Sequence, residues 1–149
     1  MANLLKSCLI DLNCNRALVA KVQNSINLKK DKQFSVLVEY LKDADSIKSI
    51  VKNIPYSVLE LEFKEGKDKI IIASQSYDIP DACKNHLQNI NAHTIVNQLL
   101  YIDDFIWGVL SFQFNSIPPF ISNPETLDIY NKIFRYYKKS LLHNSYETF

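Results

Sequence analysis

The sequence predicts an α+β domain with a mainly antiparallel sheet of five or six strands. Three observations lead to this prediction: several short segments alternate apolar and polar residues, other segments repeat apolar residues at helical spacing, and two adjacent strand candidates near the end are joined by a tight turn. Helices at both ends of the chain favour an α+β fold over an alternating parallel one. A length of 149 residues favours a single domain spanning 1–149.

The start of the chain predicts a helix followed by two strands. Residues 3–12 place apolar side chains on one helical face, and Asn-Cys-Asn at 13–15 ends this helix because Asn tolerates turn conformations. The first strand candidate is 16–23, and a polar loop, 24–32, follows it. Residues 33–41 form the second strand candidate because their apolar side chains alternate.

The next segment predicts two helices. Asp43 or Asp45 would cap a short helix over 45–54. Pro55 suits the first turn of a second helix, which Gly66 would end in a left-handed conformation.

The second half of the chain predicts a strand, a short helix and a hairpin. The third strand is 69–75, and 76–91 is a loop that leads into a short helix. Strands over 92–102 and 105–114 form the hairpin, with Asp103-Asp104 as its turn.

The last helix is predicted over 124–143, with 143–149 as a frayed tail. Ser122 or Asn123 would cap it, and Pro124 occupies its first position. One apolar stripe with spacings of three and four should cover the sheet: Leu127, Tyr130, Phe134, Tyr137 and Leu141.

The final strand holds one of only two glycines, Gly108, directly after the only tryptophan. A glycine inside a strand indicates that another backbone approaches closely. Alternation divides the strand into two faces. One face should lie under the terminal helices: Ile106, Leu110, Phe112 and Phe114. The other is mixed and suits the wall of a pocket: Phe105, Trp107, Val109, Ser111 and Gln113.

Composition excludes several classes of function. The net charge of +1 gives no electrostatic case for binding nucleic acid or an anionic membrane. Three cysteines cannot form a complete disulfide framework, and the start of the chain lacks a signal-peptide apolar region. We therefore expect a soluble intracellular protein, in the cytoplasm or, if organelle-encoded, in the plastid stroma.

Four stretches resemble the GAF domain, in its phytochrome and cyanobacteriochrome type. They are NCNRALVAKV, IPYSVLELEFKEGKDKIIIASQ, AHTIVNQLLYIDDFIWGVLSFQF and PPFISNPETLDIYNKIF. Together these stretches span nearly the whole chain, in the order and with the spacing of the family. The resemblance implies a GAF-like fold in which the first and last helices cover one face of the sheet and short helices and loops form a ligand pocket on the other.

The resemblance also implies a place for a bilin, a tetrapyrrole bound through a cysteine in the loop after the third strand. Cys83 falls at that place, and His86 is the nearest histidine. The other residues expected to line the pocket are Tyr77, Trp107, Ser111 and Gln113. The sequence departs from the family pattern, with Lys84 after the cysteine, Ala73 where relatives keep an Asp, and Gln113 where they often carry a His. These departures, together with a helix after Cys83 that is shorter than in the family, disfavour a covalent bilin at Cys83.

Metal binding and catalysis are both disfavoured. Cys83 and His86 have the spacing of half a zinc site, but no second close pair of ligands is present among the remaining cysteines and histidines. No nucleophile triad, phosphate loop or His-Glu metal signature is visible. We therefore expect no metal site and no enzyme activity.

The last helix carries more apolar residues than one stripe needs. The surplus residues are Ile129, Ile133 and Tyr136. Together with Tyr137 of the stripe they predict a helical homodimer interface, which GAF domains commonly form. Alternatively, the first helix covers them all.

Two hypotheses for function remain open. In the first, the chain is a stand-alone sensory or regulatory domain that binds a small ligand, possibly a tetrapyrrole, and signals in trans to a protein partner through its helices. In the second, it is a degenerate structural or interaction module of the same fold with no ligand in the pocket.

Overall fold

One antiparallel sheet with helices on both faces forms the protein. The computed structural model describes residues 2–22, 33–50, 54–55, 69–73, 81–102 and 105–148. The elements are α1 (Ala2–Asp11), β1 (Arg16–Val22), β2 (Gln33–Leu41), α2 (Ile47–Ile50), β3 (Ile54–Pro55), β4 (Lys69–Ala73), α3 (Asp81–Asn89), β5 (Thr94–Ile102), β6 (Phe105–Phe114), a 3₁₀ turn (Pro119–Ile121) and α4 (Pro124–Thr148).

The strand order is β3-β2-β1-β6-β5-β4, and every described pair is antiparallel. The five predicted strands are present with small shifts at their ends, and a short sixth strand, β3, joins the edge of the sheet. The predicted α+β fold class is therefore confirmed.

The terminal helices α1 and α4 cover one face of the sheet, as predicted. Their buried side chains pack with inward-facing residues of β1 and β6, and the rings of Phe112 and Phe134 stack at 5.6 Å. The Tyr137 hydroxyl donates a hydrogen bond to the Asp11 carboxylate, which joins the two helices. Leu110 and Phe112 are buried in this core, which confirms their predicted face.

A second core lies on the opposite face, beneath α2 and α3. It contains Leu18 and Ala20 from β1, Val109 from β6, and the inward side of α3. Because Ala17 and Val19 point into the first core, β1 supplies alternate residues to both faces and is apolar throughout its centre.

Gly108 marks a close approach of two backbones, as the strand glycine predicted. It lies opposite Lys21 in the pairing of β1 with β6. A Cβ atom added at this position would lie 2.3 Å from the Ala20 carbonyl oxygen, a distance that forces the backbone to move.

Two predictions for the middle of the chain were wrong. Pro55 does not begin a helix: Ile54–Pro55 forms β3 and pairs with the start of β2. The short helix after β2 spans Ile47–Ile50, and its cap is Glu39 rather than Asp43 or Asp45, because the Glu39 carboxylate accepts hydrogen bonds from the Ile47 amide (3.0 Å) and from Ser46. The rest of the predicted helix over 55–66 lies outside the described residues.

Helix boundaries follow the residues predicted to set them. Asn13, two residues after the end of α1, adopts a positive φ of 52°. The Asn123 side chain accepts hydrogen bonds from the amides of Glu125 and Thr126 and so caps α4. The helix continues to Thr148, beyond the predicted end at 143. Among the described residues, no helix is both long enough and apolar enough to cross a bilayer.

Candidate functional site on the α3 face of the sheet

Arg16 is the central polar residue on the face where a ligand pocket was predicted. Its side chain is 1% exposed, and all five of its N–H groups have protein acceptors. Nε and Nη2 donate to the Asp45 carbonyl at 3.1 and 2.8 Å. Nη1 and Nη2 donate to the Ile90 carbonyl, both at 3.3 Å. Arg16 therefore ties β1 to the loop before α2 and to the end of α3.

Gln113 and Ser111 extend this network across β6. Arg16 Nη1 donates to Gln113 Oε1 at 2.7 Å, and Gln113 Nε2 donates to Ser111 Oγ at 3.2 Å. Both side chains are buried. The structure places Ser111 and Gln113 on the predicted face, but their polar groups are directed to one another and to Arg16.

Arg16 keeps its charge in spite of burial. Desolvation lowers the pKa of its guanidinium, whereas the nearby carboxylates of Glu39 and Asp45 act in the opposite direction. From the sequence, Arg16 was only the first residue of the strand candidate 16–23, with no role assigned to it. One signal was available in the sequence: the arginine shares a strand face with the apolar residues Leu18 and Ala20. Its place opposite a second polar residue, Gln113, is set by the pairing of β1 with β6.

His86 is buried on the inward side of α3. Burial and, to a smaller extent, the positive charge of Arg16 together lower the pKa of its imidazole to about 4. The side chain is therefore neutral near pH 7. A neutral, buried imidazole is a poor proton donor to a ligand at that pH.

Cys83 lies in the first turns of α3 and not in a loop, which corrects the sequence prediction. It is 2% exposed and belongs to the apolar core between α3 and the sheet, which also contains Leu87 and Ile90. None of the three cysteines forms a disulfide, and all three are described and buried. This burial leaves little of the Cys83 thiol accessible to a bilin vinyl or ethylidene carbon.

Trp107 does not lie on the α3 face, so this part of the predicted pocket was wrong. The pairing of β5 with β6 shifts by one residue: Leu100 lies opposite Gly108, and Tyr101 lies opposite Ile106. Trp107 is the extra residue of this bulge, and it packs against the core beneath α1 and α4. Tyr77, the other predicted aromatic wall, lies outside the described residues.

Two grooves open at the end of α3. One, of about 300 Å³, is lined by Lys84, Leu87, Gln88, Asn91, Ala92, His93 and Asn115. The other, of about 290 Å³, is lined by Arg16, Asp43, Ala44, Asp45, Asn89, Ile90, Asn91 and Asn115. The two grooves share Asn91 and Asn115. Within the described ranges, no cluster of three metal-ligating side chains occurs.

The predicted interface residues on α4 have different environments. Ile129 and Tyr136 are each 61% exposed, and Ile133 is partly buried against the core. Tyr137 is 2% exposed and bonded to Asp11, so its assignment to an interface was wrong. It belongs to the stripe that covers the sheet, three residues from Phe134.

Comparison with known proteins identifies the fold. No protein-family model and no curated protein sequence matches the chain. A GAF domain from Synechocystis, solved in its photoproduct state, superposes with a TM-score of 0.66 at 14% identity over 99% of this chain and 94% of that one. The phycoerythrobilin-bound GAF domain of a cyanobacterial phytochrome gives 0.66 at 13% identity, over 97% and 84% of the two chains.

A third similar structure is the phycocyanobilin-bound GAF domain of a cyanobacterial phytochrome. It gives a TM-score of 0.64 at 15% identity and covers 98% of this chain and 84% of that one. The chain has the fold of phytochrome and cyanobacteriochrome GAF domains, as the sequence resemblance predicted. Structural similarity at such low sequence identity identifies the fold but not the ligand. The ligand has to be argued from the residues present.

Proposed function

We propose that this protein is a regulatory module of the GAF fold that acts through contact with another protein chain and carries no bilin linked to Cys83. The observation that carries the proposal is the packed core between α3 and the sheet, of which Cys83 is a buried part. Similar structures hold bilins. The described residues on this face of the present chain do not fit a covalently attached one.

The polar residues on the same face support the proposal. A bound tetrapyrrole needs donors and acceptors directed toward its ring nitrogens and propionates. Here the five Arg16 donors and the Gln113 amide are engaged with protein groups, and His86 is buried and neutral. Releasing them toward a ligand would leave the Asp45 and Ile90 carbonyls without the donors they have now.

The test is co-expression with the enzymes of bilin synthesis, followed by denaturing gel electrophoresis with zinc-enhanced fluorescence. We expect no fluorescent band from this protein, and a strong band from a bilin-bound cyanobacterial GAF domain treated in parallel. A band that is lost in Cys83→Ala would contradict the proposal. An absorbance spectrum of the native protein tests non-covalent binding, and a visible absorption band there would contradict the argument that the polar residues of this face are engaged with protein groups.

A further inference from the structure

A groove runs between α4 and β5, along the side of α4 that faces away from α1. Four of its lining residues follow one another at spacings of four, three and four, so they form one stripe of the helix: Asn131, Arg135, Lys138 and Leu142. Tyr137, which contacts α1 through Asp11, lies on a different side of the helix. The volume of the groove is about 390 Å³. Pockets for small molecules occupy about 300 to 1,000 Å³, so this groove is large enough to hold one.

The floor of the groove is mainly apolar but contains one buried amide. Phe134 and Leu142 supply apolar surface from α4. Gln98 of β5 is 3% exposed, and its Nε2 donates a hydrogen bond to the Phe134 carbonyl at 3.2 Å. Its strand neighbours on the same face, Val96 and Leu100, belong to the core beneath α1 and α4. A polar residue therefore interrupts an apolar strand face where the groove opens, and its amide brings hydrogen-bonding groups to the floor.

The rim of the groove is positively charged. Arg135, Lys138 and Lys139 lie within little more than one turn of α4 and all line the groove. Arg135 and Lys139 are exposed, and Lys138 is half-buried. Within the part of the chain that the structure describes, no carboxylate lines the groove. The whole chain has a net charge of only +1, so the three cations are a local concentration of charge.

We propose that this groove binds a free single-chain carboxylate. The carboxylate group lies at Arg135 and Lys139, and the apolar chain lies along Phe134 and Leu142. The groove is on the opposite face of the sheet from Cys83, so the proposal goes beyond the proposed function and does not depend on it.

Charge and shape together determine this class of ligand. A guanidinium can bind a carboxylate through two parallel N–H bonds, and the neighbouring lysines add charge without a fixed geometry. Each methylene group that enters the apolar floor should tighten binding about fourfold. The floor is recessed between a helix and a strand, so a single chain can reach it, whereas the packed surface of a bilayer would meet only the rim.

The first experiment is isothermal titration calorimetry of the wild-type protein with decanoate. We expect a dissociation constant on the order of 0.1 mM, typical of a ligand with few atoms. Hexanoate should bind about tenfold more weakly or worse because its chain buries fewer methylene groups. Decyltrimethylammonium has the same chain with the opposite charge and should also bind about tenfold more weakly or worse. Added salt should weaken decanoate binding, since the rim charges are partly exposed.

A pair of double variants tests the rim. Arg135→Glu with Lys139→Glu should weaken decanoate binding about tenfold or more, because two attractive charges become repulsive. Lys6→Glu with Lys84→Glu is the matched control: it makes the same change in net charge at exposed positions on α1 and α3 and should bind decanoate as wild type does. Circular dichroism confirms that both variants fold, and the comparison of ligands on the wild-type protein does not depend on either of them.

Nuclear magnetic resonance of the labelled wild-type protein locates the ligand. Decanoate should shift the signals of the Gln98 side-chain amide and of the backbone amides over 131–142. Shifts confined to α3 and its surroundings would place the ligand on the other face of the sheet and overturn the proposal.

Four further outcomes overturn it. Three come from calorimetry: no binding of decanoate, equal binding of decanoate and decyltrimethylammonium, or equal weakening in the two double variants. The fourth is co-sedimentation with phosphatidylcholine vesicles only when they contain phosphatidylglycerol, lost in the Arg135 and Lys139 variant, which would identify a membrane surface as the occupant. None of these outcomes involves bilin attachment, so the failure of this inference and that of the proposed function are distinguishable.

Discussion

Arg16 is the single side chain that joins the most elements on the α3 face. It donates hydrogen bonds to the carbonyls of Asp45 and Ile90 and to the side-chain amide oxygen of Gln113, which belong to three separate parts of the chain. A planar guanidinium can meet these acceptors at once because its five donors diverge in one plane. An ammonium group has three donors on one atom and cannot reach all of them.

We therefore predict that Arg16→Lys lowers the free energy of unfolding by about 2 to 4 kcal/mol, since a buried charge loses donors and buried acceptors lose partners. Urea denaturation followed by circular dichroism measures the change. Arg135→Lys is the control: Arg135 is exposed on α4, and its replacement should change stability by less than about 0.5 kcal/mol. Equal effects of the two substitutions would show that the Arg16 network contributes little.

His86 makes stability depend on pH. Its pKa is about 4 in the folded protein, against an ordinary value of 6.5, because burial disfavours the charged imidazole. Between pH 4 and pH 6.5, a group whose pKa is lowered in the folded protein binds more protons in the unfolded state than in the folded state. Its contribution is therefore full above about pH 6.5, falls as pH drops toward 4, and amounts to about 3 kcal/mol in total.

The prediction is that His86→Gln flattens the loss of unfolding free energy between pH 6.5 and 4 relative to wild type. Urea denaturation at a series of pH values measures the slope. His143→Gln, which replaces an exposed histidine near the end of α4, is the matched control. A His86→Gln variant with an unaltered slope would show that other groups dominate acid destabilisation.

Among the elements, the contact between β1 and β6 depends on Gly108. The Ala20 carbonyl oxygen would lie 2.3 Å from an added Cβ, and both atoms belong to paired backbone segments that cannot move independently. The bulge at Trp107 immediately precedes this position, so β6 changes its direction of side-chain alternation where it also approaches β1 most closely.

We predict that Gly108→Ala destabilises the protein by about 1 to 3 kcal/mol, although alanine inside a strand is normally more stable than glycine. Thermal denaturation would show this as a lower midpoint. Lys21→Ala, at the exposed position paired with Gly108, changes the same pair of strands without a steric clash and should have a small effect. An unchanged or higher midpoint for Gly108→Ala would mean that the strands separate easily.

At the scale of the whole molecule, the sequence predicted the layers better than the site. Alternation placed Leu110 and Phe112 under the terminal helices correctly, because both residues follow the bulge in regular strand. It failed for Trp107, because Trp107 is the extra residue of the bulge in β6 and packs against the core beneath α1 and α4. It failed for Pro55 because the pairing of β3 with β2 is a tertiary contact that a local helix signal does not contain.

The candidate site was harder to predict for a related reason. The structure brings Cys83, His86, Ser111 and Gln113 to one face of the sheet, but whether such residues line an opening or fill a core depends on their neighbours in space. At one end of the face, the hydrogen bonds of Arg16 determine whether these residues line an opening or fill a core. Arg16 belongs to β1, which is far in sequence from α3 and β6. A single sequence gives its position in the strand but not its five acceptors.

The two cores on opposite faces share β1, and this should make the molecule unfold as one unit. Leu18 and Ala20 belong to the α3-side core, while Ala17 and Val19 belong to the core beneath α1 and α4. Trp107, the only tryptophan, packs against the latter and so reports on that side alone. Loss of packing on the α3 side can reach Trp107 only through the shared sheet.

Leu87→Ala provides the test because Leu87 is 2% exposed in the α3-side core, and its truncation should cost about 2 to 5 kcal/mol. If the sheet couples the two faces, the urea midpoint from Trp107 fluorescence should fall by the same amount as the midpoint from circular dichroism. An exposed leucine, Leu37→Ala, serves as the control and should move neither midpoint strongly. A circular dichroism transition that falls while the Trp107 transition stays in place would show that the α3 face unfolds separately, and that the terminal helices and the sheet form a stable unit without it.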